Sequence, residues 1–527
     1  MTKIIGFLIT KENKQPKIDF FDVGLRTICI KQSEYNIYLW GTGDIEKYKI
    51  NEKYSLSFPI QDNLLDRNIL ISFENKAIIV ENDWLGSIPV FYNNKEDIVS
   101  TLSNLCVKDK TIHNEGLSNF CEFGYSVFEQ TMFTDVKFMR YFSKLTVSTD
   151  NFKVEYKQDP VLDSEFIATR SNEEDVVKLM QEYISNIEDS AGGDIVLPTS
   201  GGYDSRILNY LVKDKKRIRS FTYGISKDQS KSTEVVHAKK ISEIYNTKWE
   251  QVELKKYHNY IDKWCSVYGV STHTHGMYHI EFYTKILENN NFNNPSFLSG
   301  IIGDAWAEYG KFKDIYNQND LINIGYTHGM HLDLRFLNFN TENKIKEHVF
   351  LENKEHLKND KIRAVFAMRT KLMMISYLAQ IPEYFGMSVW TPFLNFDIVK
   401  KTLNISDERR ESRIWQRDFF KSVGLNLEEM SLASVKSNKL DYEIAKNISL
   451  EPLDISIMKK YISEKRLMEI NTILSNLTLV EKVKNQLLYI PKIGGVMRRL
   501  GFKNKYLNAL QEYYVIKAIE KGLKYEY

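Results

Sequence analysis

Cysteine is scarce in this sequence: Cys29, Cys106, Cys121 and Cys265 are the only four in 527 residues, and no two form a CxxC pair. That spacing offers no zinc ribbon and no dithiol redox motif, and leaves reduced, buried thiols as the expectation. Long apolar runs are also missing. No stretch approaches the roughly eighteen apolar residues of a membrane span. The amino end, MTKIIGFLITKENK, has too short an apolar run for a signal peptide and no small-residue cleavage site. A net charge of either sign is lacking too, because 71 basic residues meet 69 acidic ones, a difference of +2. No overall field draws the chain to nucleic acid or to a membrane surface. Internal repeats and low-complexity tracts are absent. Together these absences predict a soluble, cytoplasmic protein with no nucleic-acid partner and no integral membrane segment.

What is present is a chain too long for one ordinary core, with 43% apolar residues to bury, which predicts two or more domains. Residues 1–158 read as a β-rich layered domain with few helices. Short β-branched or aromatic runs at 4–9, 27–30, 37–40, 69–73, 77–80 and 90–92 are separated by polar turns. A polar stretch around Lys157-Gln-Asp-Pro160 marks the boundary, and the second domain spans 172–527. Its first helix is announced by Ser171 and Glu174, spaced as a capping box, and by Val176, Val177, Met180, Ile184 and Ile187 at helical spacing.

The stretch from Asp194 to Arg206, DIVLPTSGGYDSR, carries the chemistry. Ile195 to Leu197 read as a buried parallel strand, Gly201 and Gly202 as a tight turn, and Ile207, Leu208, Leu211 and Val212 as one face of the following helix. A Ser-Gly-Gly turn at a helix N-terminus attracts phosphate. Ser200 and Ser205 add hydroxyls, and Asp204 supplies a carboxylate able to hold Mg²⁺ against phosphate oxygens. A second strand at 218–224 and a helix at 233–244 extend a β-α-β alternation. That pattern predicts a parallel sheet with helices on both faces and ligands at the strands' carboxyl ends.

SGGYDS, residues 200–205, resembles the SGGxDS pyrophosphate loop of the asparagine synthetase and ATP-pyrophosphatase families; it lacks the Gly-Lys-Ser/Thr ending of a Walker loop. Four further segments resemble asparagine synthetases in the same order. Residues 82–92, NDWLGSIPVFY, are similar to the D-x-x-G-x-x-P-L-Y-Y segment of class II glutamine amidotransferase domains, and 124–133, GYSVFEQTMF, to the G-Y-x-x-x-x-x-T-x-F stretch that follows it. Residues 297–306, FLSGIIGDAW, resemble L-S-G-E-G-x-D-E, and 386–395, GMSVWTPFLN, resemble G-x-E-x-R-x-P-F-L-D.

The resemblance implies a chain of the α/β and α+β classes. An Ntn-type β-rich layered domain comes first, then a parallel-sheet ATP-pyrophosphatase domain, like the adenine nucleotide α-hydrolases, with a helical C-terminal part. It implies an ATP-dependent, AMP-forming amide ligase using ATP and Mg²⁺. In that family a carboxylate attacks the α-phosphate, pyrophosphate leaves, and an amine captures the acyl group. By position, Asp204 and Asp304 would hold the metal. Ser200, Gly201, Gly202, Ser205, Ser299 and Gly300 would surround the phosphates. Pro198 and Tyr223 occupy the adenine-contact positions, where core packing would employ the same side chains. Lys436, in Ser434-Val-Lys-Ser437, stands where the family places its pyrophosphate-binding lysine.

The departures matter as much. Thr2 stands where the family has its N-terminal nucleophilic cysteine, so the glutaminase is expected to be lost, as in the similar β-lactam synthetases and lasso-peptide cyclases. Ile301 replaces the glutamate of the third segment, and Ser388, Trp390 and Asn395 replace the Glu, Arg and Asp of the fourth. No general base carries over. His273 and His275 are candidates to hold a substrate carboxylate or to serve as base, and Glu308 is a further substrate-site candidate. The expected partners are a small-molecule or peptide acid and amine, with a homodimer or biosynthetic partner proteins allowed. An intramolecular peptide cyclase and a catalytically dead nucleotide-binding scaffold stay open as alternatives.

Overall fold

A computed structural model of the chain describes residues 3–525 except Asp19, Asp150, 326–328, Glu342, Leu477 and 489–492. Thr2 therefore lies outside the described residues.

Two antiparallel sheets come first. One runs in the order Lys137–Phe138, Phe91–Asn93, Ile98–Ser100, Lys3–Thr10, Tyr35–Thr42, Arg26–Gln32. The other runs Asn151–Tyr156, Ser143–Ser148, Ala77–Asn82, Ile69–Glu74, Lys53–Ser55, Lys49–Ile50. Side chains alternate along each strand, so Phe7, Ile9, Ile37 and Leu39 share one apolar cluster with Ile71, Ile78, Val80 and Val147. Their sequence neighbours Leu8, Tyr38 and Trp40 join a different cluster on the opposite face. Lys3–Thr10 is thus buried on both faces, which is why its sequence is a continuous apolar run and not an alternating one.

A five-stranded sheet follows, in the order Lys248–Gln251, Ile218–Thr222, Ile195–Pro198, Ser296–Leu298, Ser388–Trp390, with every pairing parallel. Numbered by sequence, this is 3-2-1-4-5. Chain connections leave in opposite directions from the two central strands, so a crevice opens at their carboxyl ends, where open parallel sheets bind ligands. The turns after those two strands are Thr199–Gly202 and Ser299–Ile302, so the fold brings the SGGYDS and LSG segments to that crevice. Beyond Trp390 the described residues form helices and loops, ending in the helix Lys505–Lys524.

The apolar core runs without a break from the first antiparallel sheet into the parallel one. Polar ties reinforce it. Glu383, on the helix Tyr377–Tyr384, takes both Arg67 NH1 at 2.6 Å and NH2 at 2.9 Å, and also pairs with Lys3; all three side chains are buried. Trp84 Nε1 donates to Leu394 O at 2.9 Å, joining the Asp83-Trp-Leu-Gly segment to the Pro392-Phe-Leu-Asn segment. Both segments serve as packing joints.

The first long helix, Glu173–Ser190, departs from the capping-box expectation: Asn172 is the N-cap, and its side chain accepts from Asp175 N at 2.8 Å. Ser171 sits one residue too early, and its N–H is spent on Asn404 O. The hairpin Ser143–Ser148 with Asn151–Tyr156 also lay outside the expected strands. Among the described residues, no helix is long and apolar enough to cross a membrane.

Candidate functional site

The Ser200-Gly-Gly turn closes on itself. Ser200 N donates to Ser205 Oγ at 3.2 Å, Gly202 N to Ser200 Oγ at 3.3 Å, and Ser205 Oγ to Gly202 O at 3.2 Å. Gly201 has φ +74°, and a Cβ there would lie 2.2 Å from His237 Cβ, so glycine is required on both conformational and steric grounds. The helix Tyr203–Leu211 then begins, placing Asp204 in its first turn.

Asp204 faces the second motif. Its Oδ2 accepts from Asp304 N at 2.9 Å, an approach that depends on Gly303, whose Cβ would lie 2.7 Å from Asp204 Cγ. Its Oδ1 is sealed from solvent and has no hydrogen-bond partner among the described residues. Burial, and next the Asp304 carboxylate, push the Asp204 carboxyl above its ordinary range; Arg413 and Lys311 pull it partly back. Asp304 itself pairs with Lys311 and has Arg413 NH2 3.7 Å from its Oδ2. Lys371, on the helix Asp360–Ile375, is lowered to about 8 by burial and then by Lys311, so cations crowd the Asp304 side of the crevice.

Asp204, Asp304 and Arg413 line a cleft of about 590 Å³, within the range of small-molecule sites. Pro198, Ser200, Gly202, Asp204, Ser205, Tyr223, Ser299, Gly300 and Asp304 all reach it, so the structure brings together nearly the whole expected phosphate, metal and adenine set. Unsatisfied polar atoms converge there. Besides Asp204 Oδ1, Glu234 Oε2 and both ring nitrogens of His279 are buried without partners among the described residues, though most buried polar groups in proteins are paired. Burial, followed by the charge of His275, lowers His279 to about 3, so its ring is neutral.

Four expected residues, Lys436, Glu308, His273 and His275, sit elsewhere. Lys436 is exposed and does not line the cleft. Its segment is strapped beside the helix Thr233–Tyr245 by Val435 N donating to Lys231 O at 2.8 Å and Thr233 N to Val435 O at 3.3 Å. It is still close enough to His237, which packs under Gly201, to help depress that imidazole's basicity after burial and Arg206. Lys436 therefore stands at the rim of the turn, on a side chain long enough to swing. Glu308 is engaged by Arg413, with Nε and NH2 each 3.2 Å from Oε2, and lies outside the cleft lining.

His273 and His275 line a second cavity of about 490 Å³ that shares Tyr223, Ile225 and Leu378 with the cleft. The chain leading to them is held by the Gly124-Tyr125 segment: Tyr125 bridges to Thr272, and His273 N donates to Gly124 O at 2.9 Å. His275 Nε2 lies 3.1 Å from both oxygens of Asp441.

Lys311, Lys371, Glu234, His279, Arg413 and Asp441 were not among the site residues expected from the sequence. Glu234 and Lys311 were within reach, one opening the helix after the second strand and the other seven residues past Asp304. Asp441 carries no local signal. Among the described residues no group of three or more His, Cys, Asp or Glu converges as a metal site, so a cation at Asp204 and Asp304 would need phosphate or water oxygens to complete its shell. The chain matches no protein-family model and no curated protein.

Proposed function

We propose that this chain is an ATP-dependent, AMP-forming amide synthetase resembling asparagine synthetases, with an Ntn-type layered domain that has lost its glutaminase and an ATP-pyrophosphatase-type parallel-sheet domain. The observation that carries the reading is the Asp204 carboxylate. Its Oδ1 is buried and unpartnered among the described residues, its Oδ2 is bonded to the backbone beside a second carboxylate, and it is set at the first turn of the helix behind a Ser-Gly-Gly loop. A buried anion facing another anion is costly without a cation between them. The donor set, two carboxylates with room for phosphate oxygens, fits Mg²⁺.

Bound there, Mg²⁺ would neutralise triphosphate oxygens and orient the β- and γ-phosphates as a leaving group. The turn's N–H groups and the Ser200 and Ser205 hydroxyls bind those phosphates, exchanging their internal hydrogen bonds for ligand oxygens. That leaves the α-phosphorus open to a substrate carboxylate. Arg413, inside the cleft, is placed to hold that carboxylate as a planar donor pair. Lys436 closes from the rim as charge builds on the departing pyrophosphate. Thr2 in place of the family's cysteine means that the amine comes from a substrate other than glutamine.

Pyrophosphate release from Mg·ATP against a panel of carboxylic acids and amines tests this reading. Release that depends on both acid and Asp204 supports it; no release with any pair overturns it.

A further inference from the structure

The second cavity holds groups that ATP binding does not use. His275 and Asp441 form its polar end, their side chains 22% and 18% exposed. The Tyr257 hydroxyl donates to Asp441 Oδ1 at 2.5 Å. Burial works against ionisation of Asp441, but the His275 ring and the Tyr257 hydroxyl outweigh it and hold the carboxyl below its ordinary value. An ionised Asp441 accepts from His275 Nε2–H, which fixes the tautomer with its lone pair on Nδ1. A base oriented from behind by a carboxylate is the arrangement by which imidazole removes protons from nucleophiles. Much of the rest of the wall is apolar or aromatic, including Tyr278, Met374, Tyr377 and Leu440, with His273, Asn438, Lys439 and Gln511 as its further polar members.

We propose that this cavity takes the acceptor amine, a primary amine on an apolar or aromatic body, and that His275, positioned by Asp441, is the general base for its attack. This rests on the amide-synthetase reading of the neighbouring cleft. Size decides against ammonia: a water-sized molecule occupies about 30 Å³, whereas the cavity offers about 490 Å³. Tyr223, Ile225 and Leu378 are common to both spaces, so the two adjoin at that wall, where the amine is proposed to reach the acyl group. In the step, the amine nitrogen bonds to the acyl carbon and the carbon–oxygen bond of the mixed anhydride breaks. Its electron pair leaves with AMP; of the two protons an alkylammonium loses, the first passes to His275 Nδ1 before the nitrogen attacks and the second leaves with the AMP phosphate. The resulting imidazolium is stabilised by Asp441. His275 is thus a catalytic residue and Asp441 a positioning residue.

The test compares two kinds of nucleophile in pyrophosphate release from Mg·ATP and the acid panel. Hydroxylamine is largely unprotonated at neutral pH and needs no base; hexylamine and 2-phenylethylamine are cationic and do. His275→Gln is expected to keep the hydroxylamine-dependent rate within about twofold while the alkylamine-dependent rate falls by about 10²–10⁴. Asp441→Asn should show the same split, and Asp441→Glu a smaller one. Equal loss with both nucleophiles, or an undiminished alkylamine rate in His275→Gln, overturns the proposal. Wild-type release with hydroxylamine but with neither alkylamine overturns the acceptor class. No wild-type release with any nucleophile overturns the amide-synthetase reading, and this inference with it.

Discussion

The backbone N–H of Asp304 donates to the carboxylate of Asp204 across 2.9 Å, although the two residues are one hundred positions apart in the chain. Two turns at the carboxyl ends of adjacent parallel strands are thereby locked together, and two carboxylates are held in one crevice by a bond from the backbone of one residue to the side chain of the other.

Asp204→Asn and Asp304→Asn should each lower acid-dependent pyrophosphate release by about a hundredfold or more, the usual scale for removing one preorganised electrostatic contact. Asp204→Asn should leave the melting temperature unchanged or higher, because the amide oxygen can still accept from Asp304 N while the buried like charge is gone. Full activity in either variant, or activity lost through unfolding, would contradict the role assigned to the pair.

Gly201→Ala should destabilise the fold by more than about 1 kcal/mol, because alanine at positive φ is strained and its methyl collides with His237. It should also abolish the rise in melting temperature expected of the wild type with Mg·ATP. Thermal shift with and without Mg·ATP reads both effects.

Much of this arrangement was legible in residue order alone. The Ile195 to Leu197 run, the two glycines and the spacing of Ile207, Leu208 and Leu211 specify strand, turn and helix locally, and the structure places all three there. The β-α-β alternation likewise specifies a parallel sheet, and the strand pairings are parallel. Long-range polar pairing was not legible. Asp441 lies 166 residues from His275 and is brought to it only when the segment before the helix Leu440–Ala445 folds over the cavity. Glu308 follows the Asp304 loop closely, but its side chain pairs with Arg413 and does not line the cleft. The helix start at Asn172 was missed by one residue because Ser171 and Asn172 are both good caps, and only the tertiary bond from Ser171 N to Asn404 O separates them.

Lys436→Ala should lower the maximal rate more than it weakens ATP binding, as expected of a contact that strengthens as pyrophosphate departs. Glu308→Gln should change turnover by no more than a few times, since its partner Arg413 keeps Asp304 nearby. Steady-state rates and ATP affinities of the two variants, measured side by side, check this contrast. A purely affinity-based effect at Lys436 would remove it from the chemistry.

Acid should destabilise the protein through its buried histidines. Burial lowers His279 and His258 each to about 3, well below the roughly 6.5 of an unfolded chain. As the pH falls from about 6.5 toward 3, the unfolded state binds protons that the folded state refuses, so stability falls by about 1.4 kcal/mol per pH unit for each ring. His279→Gln should remove about one proton from the slope of stability against pH between about pH 6 and 4. An unchanged slope in denaturant unfolding would show that the ring is protonated when folded.

The most direct test follows the fate of ATP labelled at the α-phosphate, incubated with Mg²⁺, an acid that supports turnover and an amine. A turn that cradles the β- and γ-phosphates as one leaving group predicts labelled AMP, matched mole for mole by pyrophosphate and lost in Asp204→Asn. Labelled ADP with inorganic phosphate would contradict the account.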